Sequence, residues 1–200
     1  MYTLISGLGN PGPFYAHTRH QVGMQVVEML AQRLNVELKE TFGDNRGRLS
    51  TKTWLNKNRE AKNILLHVPT NGINTSGSQI VEALKYFKQF YGNYEPNAII
   101  IHDDMDIPFG QLRIKKNSGS DAGHNGIKSI IATSIPFTQL KIGIGRPPEG
   151  KTPLEHALMG FEPIELTILH RILTTAVDVA EKFASGETES MTINIEELKQ

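Results

Sequence analysis

Asn97-Ala98-Ile99-Ile100-Ile101-His102-Asp103-Asp104-Met105-Asp106-Ile107-Pro108 changes character at its centre, from an unbroken apolar run to an acidic turn. Asn97 to Ile101 reads as a strand, and an apolar run without polar alternation marks a strand buried on both faces of a sheet. The acids that follow then fall at the C-terminal end of that strand, where open α/β sheets bind ligands. Three readings fit them. Asp103, Asp104 and Asp106 could hold a hard cation. A single carboxylate could orient a histidine, as in hydrolytic triads. Or the acids serve only the turn, since Asp ahead of a Pro-containing turn is common.

Outward from this strand, the chain alternates strand and helix patterns. Tyr2 to Ser6 reads as a short buried strand entering a Gly-Pro turn. Val22, Val26, Met29, Leu30 and Leu34 recur at helical spacing and predict a helix over 20–34. Arg48–Trp54 and Asn63–Val68 read as strands, and Thr70–Gly77 is turn-rich. Ser76 or Ser78 is placed to cap a helix carrying Ile80, Leu84, Phe87 and Phe90. Gln111–Lys115 alternates, Gly126–Ile131 suits a short helix, Gln139–Ile144 a strand, and Glu162–Ala184 a long helix. A last helical turn or two is expected near Ile195, and Glu149–Pro153 reads as a loop. The alternation predicts a single α/β domain over residues 1–200, three-layered, with a mostly parallel mixed sheet flanked by helices. No linker or repeat divides it.

Composition narrows the chemistry. With 38% apolar and 21% charged residues the chain is an ordinary globular one, and its 200 residues suffice for one core. It has no cysteine, which excludes disulfides, thiolate nucleophiles and Cys-based zinc sites. The first residues carry neither a basic segment nor a long apolar run, so no signal peptide is expected. No stretch approaches the roughly 18 apolar residues of a membrane span; a cytoplasmic protein is expected. The net charge of zero hides an uneven distribution. Residues 111–146 contain Arg113, Lys115, Lys116, Lys128, Lys141 and Arg146 against Asp121 alone, while the chain from Glu155 onward is acidic. A basic segment of this kind is either a solvated face or the footprint of a nucleic acid.

Gly7-Leu8-Gly9-Asn10-Pro11-Gly12 fits the dinucleotide-binding pattern G-x-G-x-x-G after a strand. Pro11 and Pro13 sit where the helix of that motif should be under way, however, and helical periodicity starts only near His20. The glycines read better as a tight turn that brings Asn10 to the top of the first strand. His20, in Thr18-Arg19-His20, opens the first helix, where the dipole favours a neutral imidazole suited to a general base. Gly119–Gly126 is a small-residue loop that could cradle an anion, without the Lys-Ser/Thr of a P-loop. There is no G-x-S-x-G elbow and no H-E-x-x-H. What remains is a set of asparagines, histidines and one acidic cluster on loops after strands, which suits water activation and carbonyl polarisation.

Taken together these stretches resemble the bacterial-type peptidyl-tRNA hydrolase family. The matching residues are Gly7–Gly12 with Tyr15 and Thr18-Arg19-His20; Asn74-Thr75-Ser76-Gly77; His102–Pro108; Gly123-His124-Asn125-Gly126 with Lys128-Ser129-Ile130; and Ile142–Pro147. They fall in order over roughly residues 3–160. The resemblance implies a monomeric, cofactor-free enzyme acting on peptidyl-tRNA, with His20 as catalytic histidine and Asp103 as its orienting aspartate. It places substrate-positioning asparagines at Asn10, Asn74 and Asn125 and His124 beside them, sets Tyr15 near the ester, and gives Lys115 and Lys141 a grip on the tRNA 5′-phosphate. Three positions depart from the family pattern: Gln21 where Asn is usual, Gly72-Ile73 where an aromatic-Met pair is usual, and Lys141 where Arg is frequent. An RNA-binding protein on the same scaffold, without activity, is the alternative; it would have no need of an intact His20, Asp103 and Asn10 set. A metal-dependent hydrolase built on the acidic cluster is a third reading.

Overall fold

A computed structural model describes residues 2–40, 47–55, 61–92, 97–116, 119–187 and 189–195. Its strands are β1 (Tyr2–Gly7), β2 (Lys39–Glu40), β3 (Arg48–Leu55), β4 (Ala61–Val68), β5 (Asn97–Asp104), β6 (Gln111–Lys115), β7 (Thr138–Gly143) and β8 (Met191–Asn194). Its helices are α1 (Val22–Arg33), α2 (Ser76–Tyr91), α3 (Asn125–Ile131), α4 (Pro153–Leu158) and α5 (Pro163–Ser185). The strands form one sheet in the order β2-β3-β4-β1-β5-β7-β6-β8. The four central strands, β4, β1, β5 and β7, run parallel, and the pairings outside them are antiparallel.

Side-chain alternation sends neighbouring apolar residues of the central strands to opposite faces. Ile5, Ile64, Leu66, Ile99, Ile101, Leu140 and Ile142 pack with Val26, Leu30, Ala176 and Ala180 under α1 and α5. Leu4, Leu65, Ala98 and Ile100 pack with Ile80, Phe87, Ile127 and Ile130 under α2 and α3. Two cores on one sheet make three layers, and they explain why Ala98–Ile101 carries no polar alternation.

The first turn of α1 lies directly on the sheet. A Cβ on Gly7 would stand 2.1 Å from the Gly23 carbonyl oxygen, and one on Gly23 2.2 Å from that of Ile101. Only glycine permits that approach. Leu8 N–H donates to Ile101 O (2.9 Å) and Met24 N–H to Leu8 O (3.0 Å). The start of α1 is thereby locked over the C-terminal ends of β1 and β5.

Three local expectations change. Ser76 does not cap α2: its hydroxyl donates back to Ile73 O at 2.7 Å, and Thr75 occupies the cap position. The Glu149–Pro153 loop leads into α4, whose capping box joins Thr152 and Glu155 with Pro153 at the first helical position. From Met191 to Asn194, ahead of Ile195, the chain is extended rather than helical, and a helical turn beyond Ile195 would fall outside the described residues. β8 adds to the sheet edge beside β6, and Ile195 is buried in the α1/α5 core, its N–H donating to Gly110 O (2.9 Å). Residues 196–200 lie outside the described residues.

Candidate active site

Three side chains from distant parts of the sequence meet above the end of β5. Asp103 is the last residue but one of that strand, His20 stands in a 3-10 turn (Arg19–Gln21) ahead of α1, and His124 is the N-cap of α3. His20 Nδ1 lies 2.7 Å from Asp103 Oδ1, and His124 Nε2 lies 3.2 Å from the same oxygen. The partners fix the tautomers. His124 Nδ1 accepts the Ile127 N–H (3.3 Å), so its proton is on Nε2 and is donated to Asp103. A carboxylate can only accept, so His20 donates Nδ1–H and keeps Nε2 as a free acceptor. The turn itself is anchored. Arg19, 3% exposed, forks onto Glu165 at 2.9 and 2.6 Å, and its N–H donates to Met159 O beyond α4 (2.9 Å).

Burial works against charge on both partners of the central pair. It pulls the His20 imidazole down, but the Asp103 charge and hydrogen bond outweigh it and leave the pKa above its ordinary value. Burial likewise pushes Asp103 up, and is overcome by His20 and His124, which hold the carboxyl well below the usual range. The expected preference for a neutral His20 from the helix dipole is therefore not the governing influence. His20 stands in a three-residue 3-10 turn ahead of α1 and bonds Asp103 directly. Behind His124, the fully buried His102 donates Nδ1–H to Asp103 O (2.7 Å) and packs edge-on against the His124 ring (4.8 Å). Burial, then the neighbouring His124, push its pKa down to about 3. The sequence marks no role for His102; its alternation with Ile101 places it on the α2/α3 face, against Gln139 (3.1 Å).

A cavity of about 370 Å³ opens in front of these groups. His20, Asp103, His124 and Asn125 line it together with Leu154 and Ala157 of α4, and Arg146 is the one Lys or Arg among the described residues that line it. None of the described residues that line it carries a Ser, Thr or Tyr hydroxyl. Asn125 is exposed at its mouth. Asn10 lies on the turn after β1, where its Oδ1 accepts the Ile73 N–H (3.1 Å) and leaves Nδ2 as the available end of the amide. Asn74, the next residue in that second turn, is exposed, and Tyr15 is half-buried in the loop before His20. His20, Asp103, His124 and Asn125 are thus gathered round one cavity; Asn10 is bonded to the main chain next to Asn74, and Asn10, Asn74 and Tyr15 are not among the residues that line it.

The basic residues fall differently. Lys115 is exposed on β6, but the residue opposite Lys141 is Arg113, and Lys115 faces Gln139. Lys141 is buried, with Nζ 2.8 Å from Asp104 Oδ2. Asp106 pairs with Arg146 at 2.5 Å. Two acids of the proposed cation cluster are therefore already matched to cations of the chain. Among the described residues, one group of donor atoms is close enough to share a metal ion, that of His20, Asp103 and His124, within 4.8 Å of one another. It fits a metal poorly, because the Ile127 N–H holds His124 in the tautomer whose Nε2 carries a proton.

The family model described as peptidyl-tRNA hydrolase matches residues 4–200. A peptidyl-tRNA hydrolase of Halalkalibacterium halodurans is 34% identical over 185 residues, covering 90% of this chain and 92% of that protein. One from Mycobacterium tuberculosis is 38% identical over 180 residues, covering 89% and 88%. The crystal structure of the peptidyl-tRNA hydrolase of Acinetobacter baumannii aligns with a TM-score of 0.78 at 30% identity, covering 93% of this chain and 90% of that one.

Proposed function

The chain belongs to the bacterial-type peptidyl-tRNA hydrolase family and hydrolyses the ester between peptide and tRNA, and we propose that His20 is its general base, Asp103 the carboxylate that orients it and Asn10 its oxyanion donor. The observation that carries this reading is the His20–Asp103 bond. With Nδ1–H committed to Asp103, Nε2 is the basic nitrogen, on a residue that lines the cavity. His20 Nε2 takes a proton from water as the oxygen attacks the carbonyl carbon that joins the peptide to the 3′-terminal ribose. Asp103 stabilises the imidazolium that results. The negative charge moves to the carbonyl oxygen, where the Asn10 Nδ2–H, assisted by Asn125, donates to it. Collapse breaks the bond to the ribose oxygen, which takes the proton back from His20. Peptide acid and tRNA leave, and the enzyme is restored. Among the described residues the cavity lining offers no hydroxyl, and the chain has no thiol, to form an acyl intermediate, which favours direct attack by water.

In the same reading no metal takes part, since Asp104 and Asp106 are matched by Lys141 and Arg146. Asn74, Tyr15 and His124 shape the approach of the peptide and the 3′ end, and exposed Lys115 contacts a phosphate of the acceptor stem. Lys141 contributes from behind by holding Asp104. The enzyme works as a monomer, every group of the site coming from one chain, and in the cytoplasm, where its substrate is made; no helix among the described residues is long and apolar enough to cross a membrane. The test is deacylation of N-acetyl-aminoacyl-tRNA beside free aminoacyl-tRNA, with EDTA present. Turnover of the N-acetylated substrate, undiminished by chelator, is expected. Activity lost to EDTA and restored by a divalent cation would overturn the metal-free mechanism.

A further inference from the structure

Asn10 can serve as an oxyanion donor only if the turn that carries it is rigid, and a single buried side chain makes it so. Gln21 is 3% exposed. Its Oε1 accepts the Asn10 N–H at 2.7 Å, and its Nε2 donates to the Asn10 carbonyl at 2.6 Å. One amide thus holds both main-chain polar groups of one residue, as a neighbouring strand would. The Asn10 side chain is held as well, through the Ile73 N–H on Oδ1, so main chain and carboxamide are both fixed. Gly9 leaves the room for this: a Cβ there would stand 2.1 Å from Gln21 Oε1. The second glycine of G-x-G-x-x-G therefore admits an amide of the protein, where the dinucleotide motif would admit a phosphate. Gln21 follows His20 in the same 3-10 turn. The base and the clamp on the oxyanion donor are consecutive residues, so the spacing of His20 and Asn10 is set by two short hydrogen bonds rather than by the loop.

We propose that Gln21 is a positioning residue of the hydrolytic reaction, which sets the turnover rate by holding Asn10 against His20 without touching substrate. The inference rests on Asn10 being the oxyanion donor. Its rival is a purely structural Gln21 that satisfies a buried main chain and no more.

The experiment measures kcat and KM on N-acetyl-aminoacyl-tRNA for wild type, Gln21→Met, Gln21→Glu, Asn10→Ala and the double variants, below the melting point of each. Met keeps the length and loses both bonds. It should lower kcat by ~10 to 100-fold with KM nearly unchanged, as for a group misplaced by about 1 Å. Asn10→Ala should cost ~10² to 10³-fold. Adding Gln21→Met to Asn10→Ala should then cost little more, because the clamp has nothing left to position. Gln21→Glu keeps the acceptor and regains the donor only when its carboxyl is protonated. Its kcat relative to wild type should therefore rise as pH falls, a response that a structural role would not give, and this variant serves if the Met variant does not fold. Undiminished kcat in Asn10→Ala would refute the oxyanion reading and the proposal with it. A large loss in Asn10→Ala with none in either Gln21 variant, or losses that multiply in the double variant, would refute the proposal alone.

Discussion

Replacing Lys141 by Met removes an ammonium from the interior of the protein. The Lys141 side chain is 8% exposed and that of Asp104 3%, with 2.8 Å between their charged ends. The second Asp104 oxygen accepts the Asp106 N–H at 2.8 Å. Met matches lysine in length, so packing is nearly kept, and the cost is a buried carboxylate left with one hydrogen bond. Breaking a buried pair from one side costs about 3–5 kcal/mol. For a chain of this size each kcal/mol lowers Tm by about 2–4 °C, which puts the expected drop at roughly 6–20 °C. Thermal unfolding followed by circular dichroism measures it. Adding Asp104→Asn, which removes the stranded charge, should recover much of the loss. At a temperature where the variant is folded, KM for peptidyl-tRNA should stay close to that of wild type. Lys115→Ala should behave in the opposite way, with unchanged Tm, raised KM, retained kcat, and a salt dependence flatter by roughly 0.7–0.9 in log–log slope. If Lys141→Met melted within about 2 °C of wild type, a drop under 1 kcal/mol, and raised KM as Lys115→Ala does, Lys141 would be a phosphate ligand and the buried-pair argument would be wrong.

His20→Ala should lower kcat by ~10² to 10⁴-fold with the fold intact, and a variant keeping most of its activity would end the general-base mechanism. Asp103→Asn should cost less, since the imidazole remains; a larger loss from Asp106→Asn, measured on the same substrate, would assign the orienting role to the wrong acid. The base works only when neutral, so kcat/KM should rise with pH through a half-point above the ordinary 6.5 of histidine. In Asp103→Asn that half-point should move down, because the influence that raised it is gone while burial remains. Stability follows the same pair with opposite signs: the raised His20 contributes fully below 6.5 and loses its share as pH climbs, and the depressed Asp103 contributes above 3.8 and loses its share in acid. The excess of wild-type Tm over that of Asp103→Asn should therefore be largest between those two values, and an excess that grows steadily toward alkaline pH would contradict the ion pair.

The parts of this fold that were legible in the sequence are those where one residue's environment follows from its neighbours. Ile99-Ile100-Ile101 had to be buried on both faces, and once it was placed in a parallel sheet the acids after it fell at the ligand-binding end. The pairing of His20 with Asp103 was not legible in that way. They lie 83 positions apart, no local pattern joins them, and family likeness rather than periodicity connected them. The burial of Lys141 was not legible, for a physical reason. In Gln139–Ile144 the apolar residues alternate with it, which marks it as pointing away from the α1/α5 core but cannot say that the opposite face is covered too. Only the register, with Lys141 beside His102 on β5, brings Asp104 within reach. β8 failed differently, since four residues at a sheet edge owe their conformation to β6 and to the burial of Ile195. The capping box and Pro153 of α4 were visible in Thr152-Pro153-Leu154-Glu155, yet a six-residue helix shows too little periodicity to be recognised without them.

Opposed influences act on one imidazole. Burial alone would leave His20 a weak base, neutral over a wide range but unable to hold the proton it takes from water. An exposed histidine beside a free carboxylate would be protonated too readily to act as a base near neutrality. Here the carboxylate is shared. The same Oδ1 of Asp103 receives Nδ1–H of His20 and Nε2–H of His124, and the second is locked in place because Ile127 donates to the far side of its ring. Part of the negative charge is thus spent on a neutral donor, which tempers the pull on His20 while leaving the carboxylate firmly ionised. In the proposed mechanism His124 acts through Asp103 as well as by lining the cavity. The glycine that lets α3 begin so close fits the same design, for a Cβ on Gly126 would stand 2.7 Å from Ile73 and 3.1 Å from the His124 ring. The proposed base, its carboxylate and the proposed oxyanion donor are in this way tied to one another by short contacts among β1, β5 and the starts of two helices, a geometry that would leave little to reorganise when water attacks.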